Sequence, residues 1–179
     1  MMPGAATFAA GLSLAISGAC LVVFFTTDRE AWGRANDATT ALFALLMIPA
    51  ALAVGPPWAA ALGVAGLLVI AVTSGLTAAG KLDWLLSAKI GGVGFAAFLL
   101  WIVAVCTEVL RNGGSPDALA WLGLLTAALV GIALVVVIRF IRRHGTLFDE
   151  REVSIGMWIP AVAAYLCLVA WTVWLGFAL

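Results

Sequence analysis

Six apolar stretches of membrane-crossing length dominate the chain, at approximately residues 5–26, 38–55, 58–80, 89–110, 118–138 and 157–178. A helix that crosses lipid needs about 20 mostly apolar residues, because it must satisfy its own backbone hydrogen bonds there. Composition closes off a water-soluble alternative. Of 179 residues, 65% are hydrophobic and 10% are charged, with a mean hydropathy of +1.18. A soluble domain carries about 25% charged residues, and a chain this apolar cannot cover itself with polar groups in water. The predicted fold class is all-α: one polytopic membrane domain over residues 1–179, with six transmembrane helices.

The boundaries carry local signals. The second stretch follows Asn36-Asp37, contains Pro49 and stops at Gly55-Pro56-Pro57. Asn and Asp cap helix N-termini and paired prolines end a helix, so Asn36-Asp37 are predicted to start the second helix. Pro160 falls in the first turn of the sixth stretch, where proline is tolerated. The N-terminus has no Lys or Arg before its apolar run, so the first stretch reads as a retained span and not a cleaved signal.

Basic residues predict the orientation. Arg29, Arg34, Lys81, Lys89, Arg139, Arg142, Arg143 and Arg151 fall on the side of loops one, three and five, eight residues against Arg111 alone on the other. The positive-inside rule then places those loops in the cytoplasm and both termini on the non-cytoplasmic side. Trp32, Trp84 and Trp158 match the inner boundary and Trp58, Trp121 and Trp174 the outer one, as an interfacial aromatic belt requires. Trp101 and Trp171 lie within their spans instead. Small residues let membrane helices approach. Gly11, Ala15 and Gly18 in the first span, Gly123, Ala127 and Gly131 in the fifth, and Gly91, Gly92 and Gly94 in the fourth are candidate contact stripes. A division into two halves of three spans rests on counting alone, since residues 1–85 and 86–179 show no convincing match.

Much chemistry is argued against by what the spans lack. No Asp, Glu, Lys, Arg or His lies near the middle of any span, which disfavours proton pumping and charge-coupled carriage. His144 is the only histidine and sits in a loop, too little for a haem or a typical zinc site. Asp149 and Ser154 lie near it, but the surrounding RRHGTLFDEREVS reads as a charged cytoplasmic loop and not a triad. Cys20, Cys106 and Cys167 are all in apolar runs at different depths, which suits buried small hydrophobes and not a disulfide. The zero net charge offers no basic field for nucleic acid. No cofactor is implied.

Two constellations remain. At the inner end, Asn36, Asp37 and Thr40 share a depth with Thr73 and Thr77 and are candidates to line a vestibule or hold a polar ligand. The plainer reading has Asp37 as a cap paired with Arg34, and the threonines bonded back to their own helices. Within the bilayer, Trp101, Tyr165 and Trp171, with Glu108 toward the outer end, are candidate walls of a pocket for an apolar molecule or lipid. The plainer reading has the aromatics filling the core and Glu108 reaching the surface.

Two motifs add a resemblance. Trp32, Gly33 and Asp37 form a W-G-x-x-x-D pattern followed by a span carrying Pro49, and the chain ends Tyr165…Trp171-x-x-Trp174-Leu175-Gly176. With six spans, this layout resembles a loose group of small, uncharacterised six-span bacterial integral membrane proteins. The resemblance covers most of the chain in layout and about ten positions in identity. It implies a bacterial inner membrane and carries no activity across. A departure from those proteins is the lack of a basic tail after Gly176, which agrees with an outward C-terminus.

The expected function is binding or transport of a small molecule or lipid without obvious ion coupling. Asn36 and Asp37 would be its inner polar groups, and Trp101 and Tyr165 its apolar walls. One alternative is a non-catalytic subunit or anchor of a larger membrane complex, which a membrane-complex partner would favour and an isolated chain or homo-oligomer would count against. Another is an intramembrane enzyme using Asp37 or Glu108 on an apolar substrate.

Overall fold

The computed structural model describes residues 2–27, 29–113, 116–144 and 155–179, with the side chains of 137, 140–144 and 155–160 excepted. Asp149, Arg151 and Ser154, and the side chains of Arg142, Arg143, His144, Trp158 and Pro160, lie outside the described residues. Six helices account for nearly all of the described chain: α1 (Pro3–Thr27), α2 (Glu30–Ala53), α3 (Pro57–Ala78), α4 (Trp84–Asn112), α5 (Asp117–His144) and α6 (Ile155–Ala178). All six are long and apolar enough to cross a membrane, the architecture of a multi-pass membrane protein.

The helices form a closed ring. Each packs against its neighbours in sequence, and α6 returns to pack on α1. Successive helices run antiparallel, so the last turns of α1, α3 and α5 and the first turns of α2, α4 and α6 lie at one end of the ring, and the start of α1 and the end of α6 at the other. Because no helix runs down the centre, side chains fill the interior. Phe43 and Met47 of α2, Phe98, Trp101 and Ile102 of α4, and Trp171 of α6 are all buried there. Trp32, Trp58, Trp84, Trp121 and Trp174 lie exposed near helix ends. The tryptophans therefore divide by position, as the two off-belt residues led one to expect.

Glycines set how closely the helices approach. On α1, Gly4, Gly11 and Gly18 repeat every seven residues and face α6. A Cβ on Gly4 would lie 2.7 Å from the Gly176 carbonyl oxygen, one on Gly11 2.5 Å from a Val173 methyl, and one on Gly18 2.5 Å from the Tyr165 ring. Gly66 of α3 and Gly94 of α4 meet reciprocally, since a Cβ on either would lie 2.6 or 2.8 Å from the other's carbonyl oxygen. The predicted stripes are thus used in part. Gly11, Gly18, Gly91, Gly94 and Gly123 face neighbours, whereas Gly92 and Gly131 meet nothing and Ala15 is exposed.

The start of α2 differs from expectation. The helix begins at Glu30, with Arg29 at the N-cap and no side-chain cap bond. Asn36 and Asp37 are two turns inside it, so neither is a cap, and the helix starts well before residue 38. Glu30–Ala38 contains no proline, and an Asn or Asp in a helix interior costs under about 0.7 kcal/mol against alanine. Continuing the helix also keeps the backbone bonded and packs Gly33 against the Phe24 ring, 3.4 Å from where its Cβ would stand. Arg34 pairs with Glu30 at 3.6 Å on the surface and not with Asp37. Asp83 does the capping that Asp37 does not: its carboxylate accepts from the backbone of Leu85 at 2.9 Å and Leu86 at 3.2 Å, opening α4. The Gly55-Pro56-Pro57 boundary falls where proline chemistry requires, with α3 starting at Pro57 and Gly55 at a φ of 92° that favours glycine.

The Gly66–Gly94 contact gives a direct test. Gly94→Ala should lower stability by about 1–3 kcal/mol through overpacking against backbone. Gly92→Ala, facing open space two residues earlier, should be neutral or stabilising by up to about 1 kcal/mol. Thermal unfolding of both variants in one detergent checks the pair, and equal Tm shifts would contradict the packing described.

Candidate functional site

The polar residues at the end opposite the termini assemble between α1 and α2. Asn36 and Thr40 are one turn apart on α2 and meet Ser17 of α1. Ser17 Oγ donates to Asn36 Oδ1 at 2.7 Å and lies 2.9 Å from Thr40 Oγ1. One turn earlier on α1, Ser13 Oγ donates to the Thr39 carbonyl at 2.8 Å. The Tyr165 hydroxyl of α6 donates to the Leu14 carbonyl, with its ring in the space left by Gly18. Serines 13 and 17 are buried, and in an apolar helix a hydroxyl without a partner is costly. The network meets that need and ties three helices together.

Asn36 and Thr40 are therefore brought together as the shared depth predicted, and Ser17 joins them although it was not a candidate. Its signal was available: Ser13 and Ser17 stand four apart in an otherwise apolar span, one helical face with two hydroxyls to satisfy. Asp37 is half-buried, with Asn36 Nδ2 3.4 Å from its Oδ1. Thr73 and Thr77 do not join the network. Thr73 Oγ1 donates to the Val69 carbonyl at 2.8 Å, and Thr77 Oγ1 to the Thr73 carbonyl at 2.9 Å. Thr73 faces α4, its Oγ1 3.2 Å from where a Gly91 Cβ would stand. At this end the polar groups thus belong to separate helix seams, with no bond described between the two sets.

The interior aromatics form a continuous run across the ring. Phe43 and Phe98 meet edge to face at 5.9 Å, Phe98 stacks on Trp101 at 5.5 Å and 23°, and Trp101 meets Trp171 at 6.0 Å and 76°. Such pairs favour these offset and T-shaped arrangements. Trp101 and Trp171 are thus adjacent, as a shared apolar wall would need. Tyr165 and Glu108 are not part of it. Tyr165 lies in the α1–α6 seam, and Glu108 is exposed, accepting from Asn112 Nδ2 at 2.5 Å one turn on.

Both interior tryptophans are seated over glycines. Trp101 occupies the space of a Gly63 Cβ on α3, and Trp171 that of a Gly123 Cβ on α5. The indole N–H groups of both are buried without a hydrogen-bond partner among the described residues. Each such donor costs about 1–3 kcal/mol, so two in one core is a conspicuous expense. Trp171 also borders open space. A cavity of about 50 Å³ lies toward the terminus-bearing end, lined by Val54 of α2, Cys106 and Val109 of α4, Leu119 and Ala120 of α5, and Trp171 and Leu175 of α6, among others. Its walls carry no charged side chain. Cys20, Cys106 and Cys167 are free thiols, and no group of three or more metal-ligating side chains occurs among the described residues.

No protein-family model, curated protein or solved structure matches the chain.

The Ser17 network predicts coupling. Ser17→Ala should lower stability by about 0.6–1.7 kcal/mol, the range of hydrogen bonds between membrane helices. Thr40→Val added to Ser17→Ala should cost clearly less than it does alone, because both changes remove the same contact. A double-mutant cycle on unfolding free energy measures this, and strictly additive losses would show that the two hydroxyls do not interact.

Proposed function

We propose that the protein is a multi-pass protein of a bacterial inner membrane that binds a small apolar molecule or lipid near its non-cytoplasmic end. The α1–α2, α3–α4 and α5–α6 connections would face the cytoplasm and both termini the outside. Eight basic residues at one end against Arg111 at the other support this orientation, as do the exposed tryptophans near the helix ends.

The observation that carries the binding reading is the cavity of uncharged side chains with Trp171 in its wall. Ligand sites are mostly apolar with a few placed polar groups, and the outermost turns of a membrane bundle are where lipid chains meet their headgroups. At about 50 Å³ the cavity admits a small molecule or the end of a larger one, not a whole lipid. Passage through the ring is a separate matter. The run Phe43–Phe98–Trp101–Trp171 closes the interior, so transport would require these rings to part. Binding is accordingly the core of the proposal, and the polar groups at Asn36 and Asp37 act in structure rather than as the ligand's partners.

The filled interior also favours a second reading, a non-catalytic subunit or anchor of a larger membrane complex. Purification in mild detergent separates the two: a reproducible co-purifying protein supports the anchor, and an isolated chain or homo-oligomer retaining a small molecule supports binding. An intramembrane enzyme has less support, because Asp37 and Glu108 lie toward opposite ends of the ring and neither lines the cavity.

Ala120 is buried in the cavity wall. Ala120→Leu should fill the cavity and abolish retention of a small molecule or lipid seen by native mass spectrometry, while Asp37→Asn should leave it unchanged. Retention that survives Ala120→Leu and is lost in Asp37→Asn would move the site to the opposite end. Orientation is checked separately in a background with the three cysteines replaced: Lys81→Cys should react with an impermeant maleimide only after the membrane is opened, and Pro116→Cys in intact cells.

A further inference from the structure

The exposure of its wall residues shows where the cavity opens. Ala178 and Leu179 are exposed, Val54 and Val109 are half-buried, and the other lining residues are buried. All four accessible residues lie in the last turn of a helix or just beyond it. A mouth between two helix flanks would instead leave accessible wall residues a turn or more inside a seam. The α5 side is closed even at the end, since Leu119 and Ala120 stand in the first turn of that helix and are buried. The opening therefore lies along the ring axis, at the terminus-bearing end.

Backbone contacts fix the rim. Leu179 N–H donates to the Leu175 carbonyl at 3.1 Å, and the Leu179 carbonyl carbon lies 3.1 Å from where a Gly4 Cβ would stand. The end of α6 thus rests on the first turn of α1. On the α2 side, Val54 N–H donates to the Ala50 carbonyl at 3.0 Å, and the chain turns at Gly55. There a Val105 methyl of α4 comes within 2.8 Å of the absent Cβ.

Depth decides what can enter. Trp121 follows Ala120 and Trp174 precedes Leu175, and both tryptophans are exposed. Exposed tryptophans near helix ends mark the headgroup level of a membrane protein. The walls at Ala120 and Leu175 are then level with the headgroups, and the mouth at Ala178 and Leu179 lies farther out, toward water. A lipid chain would have to leave the hydrocarbon and re-enter from above, at about 0.8 kcal/mol for each CH₂ drawn into water. From this we infer that the cavity takes its ligand from the water at the terminus-bearing end, past Ala178 and Leu179, and that the ligand is a small water-borne apolar molecule and not a membrane lipid. The inference rests on the proposed binding function and narrows its ligand class. The lining side chains are aliphatic apart from Cys106 and Trp171, and none is charged, which suits an apolar molecule. A cavity of about 50 Å³ has room for roughly three to five water-sized groups.

The experiment uses the full chain in phosphatidylcholine nanodiscs and has two readings. The first is occupancy. Xenon, an apolar atom that enters dry protein cavities, should shift the Val105 and Leu119 methyl signals of the native chain saturably. Those methyls should show no nuclear Overhauser effect from lipid acyl protons. The second reading is the route, in the background with the three cysteines replaced. Leu175→Cys, one turn inside the mouth, should react with a sulfonated methanethiosulfonate, whose charge confines it to water. Leu100→Cys, on the lipid-facing middle of α4 where the native side chain is 58% exposed, should not. Ala178→Trp should close the mouth and abolish the reaction at Leu175→Cys, with Leu179→Trp as the second blocking variant should the first not fold. Saturable xenon shifts with no reaction at Leu175→Cys, or with a reaction that both tryptophans leave unchanged, would overturn the axial route and leave apolar binding intact. Acyl-proton effects on the Val105 and Leu119 methyls would make a lipid the occupant and overturn the inference alone. No saturable response to xenon would overturn both the inference and the binding function beneath it.

Discussion

The approach of α6 to α1 closes the ring, and the interior depends on that closure. In lipid the helices gain little from burying apolar surface against one another, so contact comes from close packing. The heptad of Gly4, Gly11 and Gly18 supplies it, with Gly176 answering from α6. A seven-residue glycine spacing keeps nearly the same helix face toward a neighbour, because seven residues make almost two turns. Were α6 to stand off from α1, Trp171 would lose its seat over Gly123 and its edge contact with Trp101, and the aromatic run would be broken at one end.

The same complementarity operates inside. A ring of six helices without a central one leaves more space than aliphatic side chains fill, and four large aromatic rings take up the difference. Each indole needs a matching recess, which Gly63 and Gly123 provide on the facing helices. Large and small residues therefore occur as pairs across seams, and native packing density is reached by interdigitation. The polar residues obey a parallel rule. Ser13, Ser17, Asn36, Thr40 and Tyr165 are placed where they bond across seams, while Thr73, Thr77, Thr126 and Thr172 bond back to their own helices.

How much of this was legible follows from the range of each interaction. The six helices were, because a length of about 20 apolar residues is a local property. The start of α2 was not, because Asn36-Asp37 is a genuine capping signal that the helix overrides by continuing back to Glu30. Gly11 and Gly18 were identifiable by spacing, but spacing alone could not reject Ala15 and Gly131 or add Gly4, since only the partner helix decides which stripe is used. Trp101 and Trp171 were marked by lying off the interfacial belts, and they do meet. Grouping Tyr165 and Glu108 with them failed because depth was known and azimuth was not: Tyr165 turns toward α1 and Glu108 toward the surface. Ser17 was missed although Ser13, four residues before it, marks a face with two hydroxyls to satisfy; its partners Asn36 and Thr40 lie across the seam, where spacing within α1 does not reach.

The two indole N–H groups then stand out against an interior that otherwise meets its polar demands. Every buried hydroxyl discussed above has an acceptor, some reaching across a seam to find one. Phenylalanine at either tryptophan position would remove an unpaired donor, though it would fill less of the recess over Gly63 or Gly123. For Trp101, sealed on all sides and in edge contact with its neighbour, volume is a sufficient reason for the larger ring. For Trp171 volume is a weaker reason, because the ring borders a cavity and so does not fill the space available to it. An apolar wall is cheapest without a donor, and a tight core is cheapest without a cavity. Trp171 has both beside it, and the recess over Gly123 and the edge contact with Trp101 hold its ring there.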